Sequence, residues 1–414
     1  MIRKIIVVTM VFVFGIMISG EMVAAGEWRI GLLLPYSGPT AVWGKYPNQG
    51  IEIAQDMIND RGGINGNKIV FVKADAPNPT AAASECNRLI TQENLKLIMG
   101  SGTSGNAMAA TGVAEKAKVF YYEVGGVSDK VTNRGFKYTF RHCPKGSVIA
   151  KEIGKFIYQD LTKWLNKDPK DLKVVLVHED GPYGSAISGA VKYGAKTQGR
   201  EVEAVESYNP KASDLSSLVL KLKQMDPDVL AVISYLQDSI LLTKQMKQYN
   251  FTPKAFLGIG TGYTVEEYVK DRGKDINGFF INWAAPYLDP SVLTEKGKKV
   301  HEEFLRRYRE KFKEDPTDIA GYGFAGAWCL FSEILPKAGS LDPDKLREAA
   351  LSIDEPIGSY QNGYGTKFDD KGQNTRAFGV CSQYQDMKPV HLRPYNIANG
   401  KPIMVPLPAW KDKR

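Results

Sequence analysis

The chain has 414 residues, 43% of them hydrophobic and 24% charged, which is an ordinary globular composition with material for two or three cores. Its formal net charge of +8 comes from scattered lysines and arginines interleaved with acids, as in KGKKVHEEFLRRYREKFKED (296–315). That interleaving describes a solvated helix face and speaks against a nucleic-acid groove.

Residues 1–25 stand apart. Arg3 and Lys4 open a basic start, Ile5 to Ile18 is almost wholly apolar, and Val23-Ala24-Ala25 offers small residues for cleavage. The pattern is that of a secretory signal peptide, and the apolar run of about 14 residues is short for a membrane span, which needs roughly 20. With no cysteine before Cys86, the expectation is an exported soluble chain beginning near Gly26, not a lipoprotein. Cys86, Cys143, Cys329 and Cys381 are far apart. Four buried free thiols is the simplest reading, and one or two disulfides the alternative in an oxidising compartment.

From WRIGLLL onward, short apolar runs alternate with amphipathic stretches. A helix is expected around 49–60, then the strand KIVFVKAD, a helix over 80–94, the strand LKLIM, a further helix, and the strand VFYYEV. After KYTFR (137–141) a long helical stretch runs to Asn166. DLKVVLVHED, EVEAVESY, DVLAVISY, KAFLGIG and GFFINWAAP follow as strands separated by helices, and two long helices continue through Lys337. Near-continuous β-branched runs alternating with helices at a period of 3.6 predict an α/β fold with parallel sheets covered on both faces. The units are too many for one sheet of usual width, so two lobes are expected. Junctions fall at 137–146, at GFFINWAAPY, and in the Gly-, Asp- and Asn-rich segment 354–379. The expected division is 26–141 with 284–358 in the first lobe and 142–283 with 359–414 in the second.

Catalytic and metal motifs are missing. His142, His178, His301 and His391 are dispersed, no nucleophile elbow or phosphate loop of the Walker type occurs, and Asp369-Asp370 sits among turn residues. The expectation is a chain that is not an enzyme and needs no cofactor and no metal. One stretch, LKLIMGSGTSG (95–105), matches G-x-G-x-x-G after a strand, with Glu123 about 20 residues on. A dinucleotide fingerprint usually opens the first unit of its domain, whereas two strand-helix pairs precede this one. The remaining readings are a tight strand-to-helix turn and a small anion held by helix-start amides.

RIGLLLPYSGPTAVWG (29–44), IEIAQDMINDRGGINGNKIVFVKADAPNP (51–79), IMGSGTSG, EVGGVSDKVTNRGFKYTFR (123–141), HEDGPYG (178–184) and PDVLAVISY (227–235) carry a resemblance over nearly the whole mature length. The chain resembles the leucine/isoleucine/valine-binding family of periplasmic solute receptors. The resemblance implies a type I periplasmic-binding-protein fold of two doubly wound lobes joined by three hinge crossings. It implies a monomer that delivers a small ligand to an inner-membrane ATP-driven permease. Carried over by position, Ser104 and its loop would hold a carboxylate. Gly125 would offer a carbonyl to an ammonium and Val127 an amide to the carboxylate. Trp43 would wall the side-chain pocket from the first loop, with Tyr183 and Tyr235 reaching in from the second lobe. Where the family's amino-acid binders place an ammonium-pairing acid, this chain has Gly260. Glu123 or Asp238 would have to substitute, or the ligand is a carboxylate without an amine, walled by Trp43, Tyr183, Tyr235 and Tyr263. Ligand sensing without transport is the other functional class open to this fold.

Overall fold

The computed structural model describes residues 26–283 and 288–413; the signal-peptide reading of 1–25 lies outside the described residues. The first sheet is built from β1 (Gly26–Leu34), β2 (Asn67–Asp75), β3 (Leu97–Gly100), β4 (Phe120–Glu123) and β5 (Thr139–Arg141). They lie in the order β2-β1-β3-β4-β5, all parallel. Helices α1 (Val42–Asn59), α2 (Pro79–Thr91) and α3 (Ser104–Lys116) connect the first four strands.

After β5 the chain enters α4 (Gly146–Lys155), which runs on through a wider turn to α5 (Thr162–Trp164). β6 (Val174–Glu179), α6 (Pro182–Lys196), β7 (Ala204–Tyr208), α7 (Ser216–Met225) and β8 (Val229–Ile233) follow. Next come α8 (Leu236–Gln248), β9 (Ala255–Ile259), α9 (Glu266–Arg272) and β10 (Phe280–Trp283). The parallel core of this second sheet runs β7-β6-β8-β9-β10, the same winding as the first sheet with each strand shifted by five. α10 (Glu295–Phe312) and α11 (Asp318–Cys329) then return to pack on α1 of the first sheet. After α12 (Leu335–Ala338) and α13 (Pro343–Leu351), the chain crosses again. It adds an antiparallel hairpin, β11 (Val380–Gln385) and β12 (Lys388–Arg393), to the β10 edge. The chain therefore passes between the two α/β layers three times: after β5, after β10 and before β11.

The central strands are apolar and fully buried, as LIMG, VLAVI and AFLGI show, because helices cover both sheet faces. All four cysteines are buried and unbridged. Among the described residues, no helix is long and apolar enough to cross a membrane.

Two expectations need correction. Trp43 lies in the first turn of α1, not in a loop, since the helix begins at Val42 and carries Pro47 inside it. Tyr263 is fully buried behind the sheet edge, its ring against Phe256 and Tyr268, and walls nothing.

Candidate functional site

In both sheets the winding direction reverses beside the strand that comes first in the chain, between β1 and β3 and between β6 and β8. Crevices at the carboxyl ends of strands open at such points. The seven residues singled out in the sequence all follow strand ends: Trp43 after β1, Ser104 after β3, Gly125 and Val127 after β4, Tyr183 after β6, Tyr235 after β8 and Gly260 after β9.

The first wall is backbone and hydroxyl. Gly102 has φ +82°, and a Cβ there would lie 2.8 Å from the Trp43 carbonyl oxygen, so glycine is what lets this turn approach α1. Thr103 caps α3 by accepting from the Asn106 amide at 3.4 Å. The amides of Ser104 and Gly105, at the start of the helix, precede any intrahelical acceptor. Ser104 is 2% exposed, and its Oγ accepts from the Ser128 amide at 3.2 Å, leaving the hydroxyl proton to give.

Two buried charges hold this wall. The Glu123 carboxylate accepts from the amide and hydroxyl of Ser101 at 2.7 and 2.9 Å, and from the amides of Gly125 and Gly126 at 2.8 and 2.7 Å. Burial raises its pKa, and these donors oppose the rise. Behind the turn, Arg141 Nη1 donates to the carbonyls of Gly126 and Ser128 at 2.8 and 2.7 Å, and its Nε to Gln373 at 2.7 Å. A trans peptide sets its C=O and N–H on opposite sides. With the Gly126 carbonyl turned to Arg141, the Val127 amide faces away from it, and no described residue accepts from it.

The second wall is aromatic. Glu179, at the end of β6, holds the start of α6 by accepting from the amides of Gly181 and Gly184. This places Tyr183, 4% exposed, with its hydroxyl donating to the Ile259 carbonyl at 3.3 Å. Gly260 has φ +84°, and a Cβ there would sit 1.7 Å from the Tyr183 hydroxyl oxygen. The tyrosine thus takes up the space that a side chain at 260 would need. Tyr235 precedes α8, and Trp283 ends β10 with its Nε1 buried and without a partner among the described residues. Asp238, in the first turn of α8, accepts from the Tyr208 hydroxyl at 2.5 Å, and burial pushes its pKa up to about 7.

Trp43, Ser104, Gly125, Val127, Tyr183 and Tyr235 converge on one narrow gap, together with Trp283 and the Gly102–Thr103 backbone. Gly260 touches this gap only through the tyrosine it admits. Glu123 and Asp238 do not face it as free acids: the first is spent on four donors from the paired turns, the second on Tyr208. The sequence reading missed Trp283, Arg141 and Glu179. The signal for Trp283 was present, a tryptophan ending a strand at a lobe junction.

The family model for periplasmic binding proteins matches residues 27–381. A Leu/Ile/Val-binding protein homolog 8 from Brucella abortus (strain 2308) is 34% identical over 382 residues, covering 91% of this chain and 93% of its own. A homolog 7 from Brucella suis biovar 1 is 34% identical over 381 residues, covering 91% and 94%. Among solved structures, the leucine binding protein LivK of Thermotoga maritima aligns with TM-score 0.76 at 22% identity, covering 88% of this chain and 97% of its own. LivJ of Streptococcus pneumoniae, solved in complex with isoleucine, aligns with TM-score 0.75 at 22% identity, covering 89% and 100%. These two share the fold.

Proposed function

Because the chain belongs to the periplasmic binding protein family, we propose that it captures a branched-chain amino acid or similar small carboxylate between its lobes and delivers it to an ABC permease. The observation that carries this reading is the convergence of six strand-end residues from both sheets on one gap, with hydrogen-bond donors on one side and aromatic rings on the other. The names of the Brucella relatives and the isoleucine in LivJ support the substrate class.

In this reading the carboxylate meets the Ser104 hydroxyl, the first amides of α3 and the Val127 amide. The helix start favours an anion by about 0.3–1 kcal/mol, more when partly buried. The ligand's apolar part lies against Trp43, Tyr183 and Tyr235. The lobes, 26–141 with 284–358 and 142–283 with 359–414, close as hinged bodies, biased by contacts made only in the closed form. No bond is made or broken. Residues 1–25 direct export and the mature chain works as a periplasmic monomer.

Ser104→Ala tests the reading. Removing a buried hydroxyl donor to a charged group costs about 1.5–3 kcal/mol, so calorimetric titration should show affinity for carboxylates falling at least tenfold. Unchanged affinity would remove Ser104 from the site.

A further inference from the structure

Outside the gap, the two layers stand apart on both flanks. On one flank a groove of about 820 Å³ lies between α3, with Met108 and Ala109, and α6, with Ala186 and Gly189. On the other a cavity of about 590 Å³ separates the turn after α10, with Lys313 and Glu314, from α9 and β10, with Glu266, Val269 and Ile281. Where such spaces lie between the layers, packed apolar surface does not hold them together, and individual polar contacts count for more.

Tyr46 makes a contact of that kind. It follows Trp43 by three residues on α1, so the two rings share one face of the helix. The Tyr46 hydroxyl donates to Glu267 Oε1, on α9 of the second layer, at 2.9 Å. The tyrosine is 1% exposed, and burial, then the neighbouring Glu267, raises its pKa, which keeps the proton in place for this bond. Lys45 Nζ stands 4.4 Å from the Tyr46 ring centroid and 4.0 Å from the same Glu267 oxygen. A phenol giving to a carboxylate, with an ammonium beside both, makes a charge-assisted bond. Neither Tyr46 nor Glu267 lines the gap. Fixing α1 at Tyr46 nevertheless fixes Trp43, whose ring meets Tyr235 at 6.1 Å and Trp283 at 6.5 Å.

Resting on the reading of a ligand captured between the layers, we propose that Tyr46 and Glu267 form a clasp: a positioning pair that touches no ligand, joins α1 to α9 when the layers close, and sets how long the captured ligand is held. A bond made only in the closed form stabilises that form, and its loss appears in the rate of release.

The test is stopped-flow release of leucine from the mature chain, read by tryptophan fluorescence, in the native protein, Tyr46→Phe, Glu267→Gln and the double variant. Tyr46→Phe deletes only the hydroxyl and should speed release about fivefold or more, with the association rate within about twofold of native. Glu267→Gln keeps an acceptor without the charge and should speed release less. The double variant should match Tyr46→Phe alone, because both changes break one bond. Unchanged release, or two effects that simply multiply, would overturn the clasp. So would a lower unfolding temperature with native release, which would leave the pair a bond of the fold. If leucine does not bind the native protein, the branched-chain reading falls by itself, and X-ray scattering without added leucine decides the clasp. A larger radius of gyration in Tyr46→Phe then supports it, and equal radii overturn it.

Discussion

The two walls of the gap grow from sheets wound in the same order, yet they do different chemistry. Each has a buried glutamate at a strand end that gathers the amides of a glycine loop: Glu123 at the end of β4 and Glu179 at the end of β6. In the first wall that acid ties two turns together and Arg141 grips the Gly126 and Ser128 carbonyls of the second turn from behind, so the Val127 amide between them faces the gap. In the second wall the acid serves one loop, and the side chains that project are rings. The same topology thus yields a polar clamp on one side and an aromatic surface on the other, and what separates them is which backbone groups the buried charges consume.

The sharpest way to break this contrast is at Arg141. Arg141→Leu leaves the Gly126 and Ser128 carbonyls buried without donors and should cost about 3–5 kcal/mol of stability, seen as a large fall in Tm, with carboxylate binding lost. Arg141→Lys keeps the charge but not the fork and should recover part of the stability. Full stability and binding in both variants would show that the turn stands without it.

A smaller effect is expected across the second wall. Gly260→Ala forces a Cβ onto the Tyr183 hydroxyl and strains a backbone at φ +84°, together about 2–3 kcal/mol. Adding Tyr183→Phe removes the colliding oxygen and should restore about half of that loss in urea denaturation. No rescue would mean that the glycine is required by its backbone alone.

The smallest effect is a pH slope. Asp238 has a folded pKa of about 7, above its ordinary value of 3.8, because burial disfavours its charged form. A carboxyl raised on folding binds its proton more tightly in the native state, so its contribution is full below pH 4 and is lost as pH rises to 7. Stability should fall across that window by on the order of 1–3 kcal/mol from this residue. Asp318, likewise raised to about 7 by burial, slopes the same way, so the reading is the difference between the native chain and Asp238→Asn. Identical slopes would place Asp238 outside the titrating set.

Much of this architecture was legible in residues. Alternating apolar runs and helices gave two α/β lobes, and the glycines of 100–105 marked a strand-to-helix turn at the site. What escaped follows from local ambiguity. Gly44 and Pro47 masked the start of α1, because tertiary packing holds a helix there that propensity would not. Tyr235 and Tyr263 look alike in sequence, both just past a strand. Only the fold shows one ring at the gap and the other turned into the core. Glu123 carries no sequence mark separating a ligand partner from a brace, since that depends on four amide and hydroxyl donors gathered from two turns. Arg141 closes a short strand like any polar residue, and its role appears only when the carbonyls it serves are placed.

The central claim is that the first wall reads a carboxylate while the aromatic wall closes over the rest. It is tested most directly by titrating the mature chain with a small carboxylate ligand and with its methyl ester, following the fluorescence of Trp43 and Trp283. The account predicts that the acid binds and perturbs the emission while the ester binds at least about 100-fold more weakly, since the ester loses its charge-assisted bonds to Ser104 and the Val127 amide. Equal binding of acid and ester would contradict it.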